Sequence, residues 1–170
     1  MEKEMNRIYN RIAETVNEMI PEEWETFYFY AQISETGGGT YFFYNTPEDV
    51  QNFKYSLEIP YYYDNYKERN KIKGRILLEL SEKLRKTFIE NEQEPWYSFT
   101  LSLSRNGKFK IHYDYTNWFD TNYSFDDQLL IWEYKYLGNL PEDEEMRGLI
   151  NRYIEEYPDI RFKLDNDELF

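Results

Sequence analysis

Between Glu94 and Trp118 the chain reads EPWYSFTLSLSRNGKFKIHYDYTNW, and this stretch limits the fold more than any other. Tyr97, Phe99, Leu101 and Leu103 alternate with Ser98, Thr100, Ser102 and Ser104. Phe109, Ile111, Tyr113 and Tyr115 then alternate with Lys108, Lys110, His112 and Asp114. A period of two marks a strand with one buried face. Two such runs around Arg105-Asn106-Gly107 make a hairpin. A two-residue Asn-Gly loop would pair Leu103 with Lys110 and mix the faces. A three-residue loop pairs Leu103 with Phe109 and Leu101 with Ile111. A slip of one residue flips every side chain, so the apolar pattern selects the longer loop, with Gly107 left-handed at a bulge. The hairpin carries Tyr113, Asp114, Tyr115, Trp118, Phe119 and Asp120 to one end of a sheet.

Hydrophobic periodicity places the other elements. Met5, Ile8, Tyr9, Ile12, Val16, Met19 and Ile20 recur at helical steps, and Pro21 ends that helix. Trp24–Ser34 reads as a strand, with Phe27, Phe29, Ala31 and Ile33 on one face and Tyr28 and Tyr30 on the other. Gly37-Gly38-Gly39 reads as a loop before a second strand, Thr40–Asn45. Phe53, Tyr55, Leu57 and Ile59 alternate as a third strand. Phe42 and Tyr44, with Tyr28 and Tyr30, suggest that part of the second sheet face is covered too. The glycine run lies between strands and lacks a following Lys-Ser/Thr, so it is not a phosphate loop.

Asp64 or Asn65 can cap a second helix running to about Glu90, with Ile76, Leu77, Leu80, Leu84 and Phe88 as its apolar stripe. Ser124-x-x-Asp127 fits a capping box for a third helix, which Gly138 ends. Pro141 is expected to open a fourth helix, lined by Met146, Leu149, Ile150, Tyr153, Ile154 and Tyr157, until Pro158 stops it. The order α-β-β-β-α-β-β-α-α implies a single α+β domain over residues 1–170. It is built on a mainly antiparallel sheet of about five strands, with N-terminal, central and two C-terminal helices. Residues 158–170 read as a flexible acidic tail or an added edge strand.

Composition narrows the function. The net charge is −13, and Asp114–Phe170 holds fifteen acidic and five basic residues. Such a balance opposes direct binding to nucleic acid or an anionic membrane and suits a basic partner. With no cysteine and a single histidine, neither thiolate chemistry nor a His/Cys metal site is expected. His112 falls on the polar face of its strand and reads as a surface histidine. No G-x-S-x-G is present, and the carboxylates are too numerous to single out a hydrolytic pair. No cofactor, metal or catalytic residue is expected. The absence of a long apolar run argues against a membrane span and makes the cytoplasm the simplest location. Eighteen tyrosines cannot all be buried with paired hydroxyls, and Tyr-rich surfaces mark protein interfaces and carbohydrate sites. The candidate partner site is therefore an acidic rim around aromatics: Asp114, Tyr115, Trp118, Phe119, Asp120, Asp126, Asp127 and Glu133. Two other readings stay open at this point: a carbohydrate- or peptide-binding module and a carboxylate hydrolase.

Four segments carry a resemblance. MIPEEWE (19–25), LRKTFIENEQEPW (84–96), SRNGKFKIHYDYTNW (104–118) and YKYLGNLPED (134–143) resemble the YezG-like immunity proteins, a group that includes the EsaG-type antitoxins of type VII secretion systems. The likeness covers roughly residues 5–157. It implies a cytoplasmic antitoxin without catalytic residues. The implied partner is a cognate secreted toxin with a basic C-terminal nuclease domain, often behind an N-terminal LXG-type region. The resemblance leaves oligomeric state open.

Overall fold

The computed structural model describes residues 1–158. They fall into two compact units, Met1–Thr116 and Asn117–Phe170, the second described as far as Pro158. The reading of the tail lies outside the described residues.

The first unit runs α1 (Glu2–Met19), β1 (Thr26–Ser34), β2 (Gly37–Thr46), β3 (Asp49–Tyr55), a 3-10 turn (Ser56–Tyr61), α2 (Tyr66–Glu90), β4 (Ser98–Ser104) and β5 (Phe109–Asp114). The five strands form one antiparallel sheet in the order β3-β2-β1-β4-β5. This is the expected α+β class. β1 is central, hydrogen-bonded to β2 on one side and β4 on the other, and its residues alternate regularly in burial. Phe27, Phe29, Ala31 and Ile33 are buried against Phe42 and Tyr44 of β2, Phe99 and Leu101 of β4, and the apolar stripes of α1 and α2. Ile8, Ile12 and Val16 supply the first stripe, and Leu77, Leu84 and Phe88 the second. Apolar burial of this kind stabilises by about 25 cal/mol per Å², so these layers dominate the unit.

The hairpin has the register that its apolar pattern demands. Leu103 pairs with Phe109 and Leu101 with Ile111. Gly107 N–H donates to Ser104 O at 2.8 Å, and Gly107 adopts φ +89°. Burial differs from expectation in both strands: Phe109, on the expected apolar face of β5, is exposed, and β4 is buried on both faces. β4 lies between two strands, and Ser98, Thr100 and Ser102 are buried as fully as Phe99 and Leu101. Small hydroxyl side chains tolerate this because their oxygens can be hydrogen-bonded in place; Ser98 bonds the Tyr30 hydroxyl.

Four expectations are corrected. The glycine run is strand, not loop: Gly37, Gly38 and Gly39 pair with Ser34, Ile33 and Gln32. The turn is Glu35-Thr36. A Cβ on Gly38 would stand 1.9 Å from Gln32 O, so the two backbones approach too closely for any side chain there. β3 stops at Tyr55, and Leu57 and Ile59 belong to the 3-10 turn that contains Pro60. Ser56 Oγ accepts from Phe42 N at 3.0 Å, a side-chain bond where the ladder would have continued. Phe42 and Tyr44 face the helices, whereas Tyr41 and Phe43 share the second sheet face with Tyr28, Tyr30 and Tyr55. Tyr30 stacks on Tyr41 at 4.8 Å and Phe43 on Tyr55 at 4.7 Å.

The fourth correction concerns the second unit, which comprises a 3-10 turn (Trp118–Asp120), α3 (Phe125–Trp132), a π turn (Glu133–Leu137) and α4 (Glu144–Glu156). The capping box at Ser124 and Asp127 forms as read, and Gly138 ends the π turn at φ +74°. Pro141 does not open α4. Asp143 does, by accepting Met146 N at 3.0 Å, so α4 starts three residues later. Leu149, Ile150 and Tyr153 pack with Trp118 and Ile131, but Met146 is half exposed.

Candidate functional site

The eight candidate residues divide between the units. Asp114 and Tyr115 close the first; Trp118, Phe119, Asp120, Asp126, Asp127 and Glu133 belong to the second.

Asp114 ends β5, and its Oδ1 accepts Thr116 N at 2.9 Å, which turns the chain out of the sheet. Tyr115 beyond it is exposed, and burial of part of the ring together with the Glu94 carboxylate raises its pKa. Tyr113, by contrast, is a core residue. Its ring packs on Phe88, Trp96 and Phe99, and its hydroxyl bonds the Tyr9 hydroxyl.

Trp118 is 6% exposed and packs against Tyr123, Tyr153 and Tyr157. It anchors the second unit's core, and its neighbours carry the exposed chemistry. Phe119 is half exposed, and Asp120 Oδ2 accepts from Asn117 Nδ2 at 2.9 Å. The hydroxyl of Tyr123 donates to Glu156 Oε2 at 3.0 Å; burial and that carboxylate push its pKa up to about 12.

Three candidates share a groove of about 500 Å³ between α3 and α4: Asp126, Asp127 and Glu133. Asp143 and Glu145 join them, Leu129, Leu130, Met146 and Leu149 supply apolar walls, and among the described residues Arg152 is the one cation in the lining. Among the described residues five carboxylates thus line a groove with an apolar floor, and their charge complements cationic groups. Sequence reasoning missed Asp143 and Glu145 because it started α4 at Pro141. The D-x-x-M spacing, a cap three residues before an apolar position, was the signal available. Among the described residues no three His, Cys, Asp or Glu side chains are arranged to hold a metal ion, and no helix is long and apolar enough to cross a membrane.

The family described as "Immunity protein YezG-like" matches residues 5–151. The chain belongs to the YezG-like immunity proteins. Among relatives of the same family, "Immunity protein YezG" of Bacillus subtilis is 36% identical over 150 residues, covering 88% of this chain and 99% of the relative. The protein of the same name from Bacillus spizizenii is 35% identical over 153 residues, covering 88% and 92%. "Type VII secretion system protein EsaG" of Staphylococcus aureus is 33% identical over 158 residues, covering 91% and 96%.

In this YezG-like chain several residues of the segments that carry the resemblance are framework. Trp96 is fully buried, and its carbonyl accepts from Arg85 Nε at 2.9 Å. Arg85 is itself buried on the α2 stripe, with Nη2 3.2 Å from Glu35 Oε1 and its guanidinium 5.3 Å from the Tyr97 ring. Glu35's own backbone and Arg85 hold that carboxyl below its ordinary pKa. Arg105 of the hairpin turn stacks on Trp24 at 3.9 Å, and its Nε donates to Trp24 O at 3.2 Å. These contacts belong to the framework of the first unit. Asp143 of the second unit's acidic groove also falls within a segment that carries the resemblance, 134–143.

Proposed function

We infer that this chain neutralises a cognate secreted toxin by stoichiometric binding, without turnover, and that the toxin's active part is a nuclease. Membership of the immunity-protein family is the observation that carries the reading. Physical chemistry supports the partner's class. A nuclease presents a basic surface to phosphates, and an acidic protein complements it. Between Asn117 and Pro158 the chain has ten carboxylate residues and three cations. The proposed contacts lie in each unit separately: Asp114 and Tyr115 at the end of the first, and in the second Phe119, Asp120 and the α3/α4 groove residues Asp126, Asp127 and Glu133, with Trp118 in the core beneath that second set. Inhibition takes place in the cytoplasm, before the toxin is exported.

The test is copurification with the toxin encoded beside this gene, followed by DNA cleavage with and without the chain. Equimolar chain is expected to abolish cleavage. Charge reversal at Asp114, Asp120 and Asp126 is expected to slow association, with the largest loss at low salt. Asp127 is left intact because it completes the capping box. Undiminished inhibition by the triple variant would remove the rim while leaving the antitoxin role standing. A chain that fails to bind any neighbouring toxin would remove the role itself.

A further inference from the structure

The first unit holds a second recognition feature, far in sequence from the acidic rim. Where β3 passes into the 3-10 turn, a pocket of about 510 Å³ is lined by Tyr44, Phe53, Tyr62 and Tyr63 together with Glu22, Glu58 and Lys54. One of the two carboxylates is already satisfied. Glu22 Oε2 accepts from Lys54 Nζ at 2.7 Å and from the Tyr44 hydroxyl at 2.6 Å, and Lys54 Nζ lies 5.9 Å from the Tyr44 ring. The other is not: among the described residues no cation pairs with Glu58. Tyr62 is 79% exposed, so an accessible ring stands by an unpaired carboxylate in a concave site.

We propose that this pocket receives an arginine side chain of the bound toxin, the guanidinium lying on the Tyr62 ring and pairing with Glu58. A cation is the one ligand that gains from both an aromatic face and a free carboxylate. The planar guanidinium stacks and forks at once, which an ammonium cannot do. Lys54 on Glu22 is the same chemistry satisfied from within the chain. Phe53, Ile59 and Tyr63 in the lining supply the apolar surround that excludes water from such an anchor. The proposal rests on the antitoxin reading for its partner.

Glu58→Gln and Tyr62→Ala change exposed side chains, so thermal unfolding serves as the control and should not move. Each is expected to weaken toxin affinity about tenfold by titration calorimetry. One toxin Arg→Ala variant should lose nothing further against Glu58→Gln, the signature of a shared contact. If the unaltered chain binds and inhibits the toxin and both variants bind as tightly, the pocket proposal is overturned and the antitoxin reading survives. If the unaltered chain does not bind the toxin, the antitoxin reading fails and takes the pocket's partner with it.

Discussion

The two units put aromatic residues to different uses. In Met1–Thr116 the rings join a continuous core of twenty buried residues between the sheet and two helices. Among the described residues of the second unit the buried cluster has five members, Trp118, Ile131, Leu149, Ile150 and Tyr153, ringed by half-buried tyrosines. Charge divides the other way. Residues 1–116 carry nineteen acidic and fifteen basic side chains, close to balance, whereas ten of the thirteen charged residues from 117 to 158 are acidic. The larger core thus carries the nearly neutral surface, and the smaller core carries the field. A small core leaves little stability to spare, so the more charged unit is expected to open more easily.

The largest effects test that contrast directly. Trp96→Ala removes a fully buried ring and is expected to cost about 4 kcal/mol, read by urea unfolding. Trp118→Ala should cost about 3 kcal/mol and act locally. Hydrogen exchange is expected to show amides of residues 117–158 losing protection while β1 and β4 keep theirs. Equal loss in β1 and β4 would mean that the two units open as one and would break the comparison.

A smaller effect separates two neighbouring glycines of β2. Gly38→Ala forces a methyl against Gln32 O and is expected to cost about 2 kcal/mol. Gly39→Ala meets nothing within 4 Å and should shift stability by no more than about 0.5 kcal/mol. Matching urea midpoints for the two variants would contradict the close approach.

The smallest effects concern single hydrogen bonds, one in each unit. Ser124→Ala removes the cap of α3 and should cost about 1 kcal/mol, seen as faster exchange in that helix's first turn. Tyr66→Phe deletes a hydroxyl that donates to Met19 O at 2.9 Å and should cost about 1 kcal/mol. Burial pushes the Tyr66 pKa up to about 12 from an ordinary 10. The folded chain therefore holds that proton more tightly than the unfolded chain does. The stabilisation is complete below pH 10 and is lost as pH rises toward 12. Thermal melts across that window should fall less steeply for Tyr66→Phe than for the unaltered chain.

Legibility in the sequence follows the range of the interactions. The register of β4 and β5 was readable because a local turn and an alternating face both specify it. The Ser124 cap was readable because donor and acceptor are three residues apart. The end of β3 was not, since the Ser56 hydroxyl replaces a ladder bond to a residue fourteen positions earlier. The glycine run misled for a similar reason: its need for small residues comes from Gln32 on the facing strand. Of the candidate site, the acidity was visible and the geometry was not. Asp126, Asp127 and Glu133 gain Asp143 and Glu145 as neighbours only once α4 folds back along α3. Trp118 was singled out for its company, but its role is to hold that company in place. Arg85 offered no signal, because a charge on an apolar stripe reads as noise until Trp96 O stands beside it.

The strand order also sets a schedule. β1 sits in the middle of the sheet, and its two partners leave the ribosome at very different times. β2 follows after the turn Glu35-Thr36, whereas β4 begins only at Ser98. At about 5–20 residues per second, the roughly 60 residues between β1 and β4 take roughly 3 to 13 s to emerge. Through that interval one edge of β1, with Phe27 and Phe29 at its centre, has no strand to lie against. A nascent protector of this design is incomplete until two-thirds of it has been made. The order and spacing in which it and its target are translated therefore bear on whether protection arrives in time.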